Sequence, residues 1–355
     1  MVQAPEENPR VVRSRPALET DRPVRELWDP ARIVVVGVGG GGGKSVQRMA
    51  AERLKNVEFL VVDTDGAALA ASGVPGRLRI GDRLTRGLGT GGDPGLGARA
   101  ADAAQEEVRR MLGPADMVLV TAGLAGGTGA GAAPIIAGIA REIGALTVGI
   151  VTWPFTYEGS RRQAVAEAGL QAMKESVNTL LVIANDRLSE MAKVRLRVAD
   201  AFRMADEMVY SAVRGITDLI AGPGLICFDF ADANSILAKG GGARMALGRG
   251  EGEHKARNAA EAAIACPLLD APMSYAAGIL LNVTGGPDTA LEEVKEAIDR
   301  IYGAAQPDVN LLCGAVIDHT MEGKMRVTAV VTGLDVAPPV AYRPLWPASQ
   351  CPFEL

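Results

Sequence analysis

Gly123-Leu-Ala-Gly-Gly-Thr-Gly-Ala-Gly-Ala-Ala-Pro134 is the stretch that decides the fold. It follows an apolar run over 117–122 that reads as a buried strand, and it precedes 135–143, which reads as a helix. Glycines crowded at a strand-to-helix junction let backbone N–H groups approach an anion, and the helix N-terminus adds partial positive charge. Gly123, Gly126, Gly127 and Gly129 make this a phosphate cradle, to which Thr128 adds a hydroxyl. A second cradle, Gly37-Val-Gly-Gly-Gly-Gly-Gly-Lys44, lies more than eighty residues upstream.

The upstream cradle is ambiguous by itself. Gly37, Gly39 and Gly42 satisfy G-x-G-x-x-G after a strand at 32–36, and Asp63 closes the next strand at 59–62, the pattern of a dinucleotide-binding unit. Gly43-Lys44-Ser45 ends like a P-loop, but that motif needs glycine where this chain has Val38. A turn with no ligand is disfavoured, because Gly39, Gly40, Gly41, Gly42 and Gly43 each cost backbone entropy on folding.

Composition narrows the class. The 355 residues are 48% hydrophobic, enough for two domains with proper cores. No apolar run reaches the length of a membrane span, and the N-terminus has no signal-peptide core. Cys227, Cys266, Cys313 and Cys351 lack metal spacing and fit a reducing, cytoplasmic compartment. A net charge of −5 and 4% aromatics argue against a nucleic-acid partner. His254 and His319 sit in polar segments and read as surface residues.

Apolar runs at 32–37, 57–62, 117–122 and 146–152 alternate with helical segments, which implies a parallel α/β sheet with helices on both faces. Residues 194–221 read as one long helix with Val198, Phe202, Ala205, Val209, Ala212 and Ile216 on one side, stopped by Gly222-Pro-Gly. Beyond it, 278–284, 311–317 and 326–332 read as strands of a second α/β domain. The expected division is a disordered tail over 1–30, a nucleotide domain over 31–198, a central helix over 199–223, a second domain over 224–334 and a tail over 335–355.

At this point the motifs carry a resemblance. The two cradles, Asp63-Thr-Asp65, Thr85-Arg-Gly-Leu-Gly-Thr-Gly-Gly-Asp-Pro94 and Pro154-Phe-Thr-Tyr-Glu158-Gly resemble the division GTPase family FtsZ of the tubulin superfamily, in order and spacing, from about 32 to about 334. The resemblance implies a Rossmann-like GTPase domain, a central helix, a second α/β domain, GTP/GDP with Mg²⁺, and head-to-tail self-assembly into filaments, alone or with another FtsZ-family protein. It places Asp63, Asp65, Thr90, Gly91 and Gly92 at the phosphates.

Several residues have two readings. Glu158 and Arg162, four apart, would form a surface ion pair on a helix; the resemblance puts both at the ribose and phosphates. Asn185 follows a strand over 179–184 and is either a ligand contact at a carboxyl strand end or a cap for 187–191. Phe202 fits a core position or a ring that stacks on a purine. Asp206, as a carboxylate that only accepts hydrogen bonds, matches the N1–H and N2–H edge of guanine. Gly224-Leu-Ile-Cys-Phe-Asp229-Phe-Ala-Asp232 resembles the family's catalytic loop, whose acids polarise water at the next subunit's nucleotide. The plainer role for Asp229 or Asp232 is capping a helix over 233–239.

Departures surround the nucleotide. Lys44 and Asp63 stand where relatives carry Asn; Ala125 and Ala130 replace Gly and Thr; Cys227 replaces Asn; Thr90 and Asp93 replace Ala and Asn. Lys44 attracts phosphate, whereas Asp63 and Asp93 either repel it or hold Mg²⁺. In the residues past Leu334, which run to Pro352-Phe-Glu-Leu355, the family's C-terminal adaptor peptide is not evident, and a natural end and a truncation read alike. The leading reading is a GTP-hydrolysing, filament-forming protein of division or positioning, with no direct membrane insertion. A filament-forming paralogue with weak or no hydrolysis, an NAD-dependent dehydrogenase and a nucleotide-regulated monomer that caps filaments stay open beside it.

Overall fold

The computed structural model describes residues 31–334, apart from 53, 55, 192–196, 222–225 and 227. Both expected tails and Cys227 therefore lie outside the described residues. In chain order the first half runs β1 (Ile33–Val38), α1 (Gly39–Ala51), β2 (Val57–Asp63), α2 (Gly66–Ala71), β3 (Gly76–Arg79), α3 (Asp82–Thr85), α4 (Pro94–Asp102) and α5 (Gln105–Leu112). It continues with β4 (Met117–Gly123), α6 (Gly127–Glu142), β5 (Leu146–Trp153), α7 (Ser160–Ser176), β6 (Thr179–Ala184) and α8 (Asn185–Met191). The long α9 (Val198–Ala221) and the short α10 (Phe230–Leu237) lead to β7 (Gly241–Glu251) and α11 (Lys255–Ile264). β8 (Gly278–Gly285), α12 (Leu291–Ala304), β9 (Asn310–Ile317) and β10 (Lys324–Thr332) finish the second half.

All ten strands join one sheet in the order β3-β2-β1-β4-β5-β6-β7-β10-β8-β9. The first six are parallel, and their order reverses direction between β1 and β4. β7 continues the sheet parallel to β6 through only three residue pairs, then pairs antiparallel with β10, which pairs antiparallel with β8. The expected α/β class with a second α/β half is what the chain forms, and the two halves share a sheet.

The apolar runs are unbroken because both faces of the parallel strands are covered. In β1, Ile33 and Val35 face a core shared with Met49 and with Met208 and Ile216 of α9, while Val34 and Val36 face the core built by α4 to α7. Helix α6 begins at Gly127, ahead of the expected 135, and α1 takes in the whole five-glycine run. Glycine costs about 1 kcal/mol per helical position relative to alanine. Packing overrides that preference, since a Cβ on Gly42 would overlap the Thr121 carbonyl oxygen of β4. The close approach of α1 to β4 requires the missing side chain.

Helix α9 is 24 residues long, about 36 Å. The expected apolar stripe is correct from Ala205 onward and wrong at its start. Val198 is 65% and Phe202 45% exposed, Phe202 at the wall of an open cleft; Ala201, Met208 and Val213 are buried in their stead. α10 starts at Phe230, ahead of the expected 233, because the Asp229 carboxylate accepts the Asp232 amide at 2.9 Å and caps it.

Arg214 of α9 ties the helix to the second half, donating to Asp218 and to Asp318 beyond β9, each at 3.1 Å. Burial works against the charge on Asp318, yet the Thr320 hydroxyl and amide and the Arg214 guanidinium hold its carboxyl down to about 2. A carboxyl depressed in the folded state adds stability above its unfolded value of about 3.9, and that stability is lost as pH falls through about 2. Asp318→Ala is therefore expected to lower Tm at pH 7 by roughly 2 °C and to flatten the fall in Tm between about pH 4 and 2, read by calorimetry. An unchanged acid limb would remove Asp318 from this role.

Candidate functional site

Residues more than eighty positions apart meet because β1 and β4 are parallel neighbours, with Val38 opposite Ala122. The two cradles leave the carboxyl ends of these strands side by side, at the point where strand order reverses and α/β sheets open a ligand crevice. Gly39, at φ +69°, turns the chain from β1 into α1, and a Cβ there would stand 3.0 Å from the Gly129 amide nitrogen. The first-turn amides of α1 and α6, which lack intrahelical acceptors, flank the same cleft.

The cleft has a volume of about 700 Å³. Gly39, Gly40, Gly41, Gly42, Lys44, Asp63, Asp65, Thr90, Gly91, Gly92, Gly123, Gly126, Gly127, Thr128, Gly129, Glu158, Arg162, Asn185, Phe202 and Asp206 all line it. Gly43 does not. It is buried against β2, where a Cβ would meet Val61 at 3.1 Å, so it packs α1 on the sheet. Asp93 is also absent from the lining: its carboxylate caps α4 through the Gly95 and Leu96 amides at 2.8 and 3.3 Å. Of the two alanines in the second cradle, Ala125 lines the cleft and Ala130 is buried, within reach of Gly169 on α7.

Four carboxylates share the cleft with three cations, Lys44, Arg162 and Arg161. The acids are largely committed within the chain. Asp63 accepts the Thr64 and Asp65 amides at 2.7 and 3.2 Å, and burial pushes its carboxyl up despite those bonds. Asp65 caps α2 through the Ala67 and Ala68 amides. Glu158, only 8% exposed in its side chain, accepts the Phe155 amide at 2.9 Å and pairs with Arg162 at 2.6 Å. That pair does not lie on one helix as expected. Glu158 ends a 3₁₀ turn, Gly159 turns the chain at φ +95°, and Arg162 belongs to α7. The guanidinium, 59% exposed, stays accessible at the rim.

Asn185 is 5% exposed at the first residue of α8, and its Oδ1 is buried with no hydrogen-bond partner among the described residues. A capping side chain would accept an amide; this one does not. A buried acceptor without a partner carries a desolvation cost of about 1–3 kcal/mol, which a donor on a ligand would remove. If the guanine nucleotide that the resemblance implies supplies this donor, Asn185→Ala weakens its binding about 10-fold while Tm of the free protein holds or rises. Titration calorimetry beside thermal melting separates that outcome from simple destabilisation.

Phe202 is too exposed for a core residue. It meets the Phe155 ring edge-on at 5.4 Å, and Phe155 stacks on Tyr157 at 5.0 Å. Thr128 shares its hydroxyl with Thr64 at 2.7 Å and Thr90 at 3.5 Å, which fixes the second cradle against the turn after β2 and the loop between α3 and α4. Sequence reasoning missed Ser45 and Arg161 as lining residues. Arg161 had a signal, the neighbouring Arg162; the contact that distinguishes Ser45 is with a residue 161 positions away.

Asp229 and Asp232 lie elsewhere. Both are exposed, and Phe228 donates to the carbonyl of Leu219 near the far end of α9. Leu219 is about 20 Å along that helix from Asp206, so these acids stand apart from their own chain's cleft. His254 and His319 are exposed. Among the described residues, no group of three or more His, Cys, Asp or Glu side chains is placed to hold a metal ion, and no helix is long and apolar enough to cross a membrane.

Residues 32–193 match the Tubulin/FtsZ family, GTPase domain, and residues 241–335 match the FtsZ family, C-terminal domain. Among solved structures, the chain is similar to an FtsZ dimer from M. jannaschii, with 39% identity and a TM-score of 0.83 over 86% of this chain and 89% of that one. A GTPγS-bound protofilament of CetZ2 from Haloferax volcanii shares the fold at 23% identity and a TM-score of 0.72, over 86% and 93% of the two chains.

Proposed function

The chain belongs to the tubulin/FtsZ family of GTPases, and from that premise we propose that it binds GTP in this cleft, assembles head to tail and hydrolyses GTP at the junction between subunits. The observation that carries the reading is a division of labour along α9. One end offers the cradles, Asn185 and Asp206; the other end offers exposed Asp229 and Asp232, about 20 Å further on. A second copy stacked end to end would bring the two together, and repetition of one such heterologous contact gives an open filament.

The roles follow from the chemistry of each group. The first-turn amides of α1 and α6 hold the phosphates, and Lys44, Arg161 and Arg162 offset their charge. Asn185 and the Glu158–Arg162 pair hold the ribose side, Phe202 stacks on the purine, and Asp206 accepts its N1–H and N2–H. Asp63 and Asp65 are already bonded to backbone amides, so Mg²⁺ would be held chiefly by the phosphates themselves and would supply neutralisation of their charge. Asp229 and Asp232 of the neighbouring copy orient the attacking water. In this reading 31–198 is the nucleotide domain, 199–223 the central helix and 224–334 the half that supplies the acids, in a cytoplasmic protein of division or positioning.

Phosphate release, pelleting and electron microscopy across protein concentrations test this. A rate per molecule that rises with concentration, together with GTP-dependent filaments, is the expected result. Filaments without phosphate release would instead favour the non-hydrolysing paralogue, to which the replacement of Asn by Cys227 already points.

A further inference from the structure

The side chain of Ser45, on α1 at the end of the first cradle, is 4% exposed and lines the cleft. Its Oγ lies 2.7 Å from Asp206 Oδ1 and 3.3 Å from the Gly41 carbonyl oxygen. One hydroxyl thus bridges the phosphate cradle and the carboxylate that faces the base. We propose that Ser45 is a positioning residue for purine recognition, which holds Asp206 ionised and turned toward the base by donating its O–H to Oδ1. The proposal rests on the reading of Asp206 as the guanine acceptor.

The surroundings of Asp206 give the hydroxyl its leverage. Burial pushes this carboxyl up; the Ser45 hydroxyl, Arg48 and Lys44, all on α1, act against that, and Glu207 on α9 adds to it. Arg48 is largely engaged elsewhere, paired with Glu207 at 3.0 Å and donating to the Arg203 carbonyl at 3.3 Å. Lys44 is exposed and screened by water. Ser45 is therefore the short, directed donor that favours the charged form, and hydrogen bonds to an ionised acceptor are about twice as strong as neutral ones. Once Asp206 is protonated, the direction reverses: the carboxyl donates to Oγ, and the Ser45 hydrogen turns to Gly41. In that state Asp206 presents a donor where guanine also presents donors, and affinity falls.

The sign of the pH effect follows. A carboxyl raised by burial is neutral over a wider acid range than an ordinary aspartate, so guanine binding weakens as pH falls through that range. Without the Ser45 hydroxyl the weakening begins at higher pH. The test is binding of GDP, xanthosine diphosphate and ADP to the full chain between pH 5.5 and 8.5, below the concentration at which light scattering reports assembly. For Ser45→Ala we expect a loss of GDP affinity relative to wild type that grows toward the acid end of the range, up to about 10-fold, and closes toward the alkaline end, with a reduced preference for GDP over xanthosine diphosphate at the acid end. Ser45→Thr, which keeps the hydroxyl, should restore the wild-type pH profile. A Ser45→Ala profile parallel to wild type at all pH values, or a loss equal for all three nucleotides, overturns the proposal and leaves Ser45 a packing residue. A wild-type protein that binds ADP as well as GDP would overturn the guanine reading itself, an outcome distinct from the failure of Ser45 alone.

Discussion

Replacing Asp229 and Asp232 together with alanine is expected to lower GTP turnover about 10²–10³-fold under assembling conditions, while GDP affinity stays within about 2-fold. Both acids lie outside the cleft, so binding does not need them. Asp229 also caps α10, which is worth about 1 kcal/mol, so the pair Asp229→Asn and Asp232→Asn is the companion variant: asparagine keeps the cap and removes the charge. Mixing supplies the sharper test. Subunits lacking the acids still hold GTP, whereas Asp206→Asn subunits keep the acids but bind GTP poorly. In a head-to-tail filament the acids of one subunit meet the nucleotide of the next, so the mixture should recover a substantial part of the activity that each lacks alone. Copelleting without recovery would show that the acids do not act across the junction.

The second large effect concerns the base. Guanine presents two donors, N1–H and N2–H, and a carboxylate accepts both. Asp206→Asn turns one acceptor into a donor that faces N2–H, leaving a clash of donors and a lost charge-assisted bond. GTP affinity should fall about 10²-fold, in line with about 1.5–3 kcal/mol for a hydrogen bond to a charged group. Xanthosine triphosphate, which carries an acceptor in place of the N2–H₂ group, should gain affinity over the same substitution. Competition between the two nucleotides measures the exchange directly. Equal GTP binding by wild type and Asp206→Asn would remove this residue from base recognition.

The class of fold and most of the cleft were legible because their signals are local. A fully buried parallel strand leaves an unbroken apolar run, and a phosphate cradle leaves glycines where that run ends; both survive in one dimension. The start of α6 is read at 135 from the sequence and lies at Gly127 in the structure, because glycine's low helix propensity is a local quantity and the packing that overrides it comes from another element: a Cβ on Gly131 would overlap the Pro94 carbonyl oxygen of α4. Phe202 reads equally as core or ligand contact, since periodicity gives the face of a helix but not whether that face meets packed side chains or an open cleft.

From the sequence alone came the α/β class, the two cradles and the residue types suited to phosphate and guanine. The tertiary structure alone decided that those cradles share one cleft, that Gly43 and Asp93 serve packing and capping, that Asn185 keeps a buried acceptor without a partner, and that Ser45 reaches Asp206. It also set Asp229 and Asp232 at the far end of α9. The reason is one of range. Local backbone preferences and hydrophobic period act over a few residues, but desolvation and hydrogen bonding depend on atoms brought together from distant parts of the chain, and only the packed sheet determines which atoms those are.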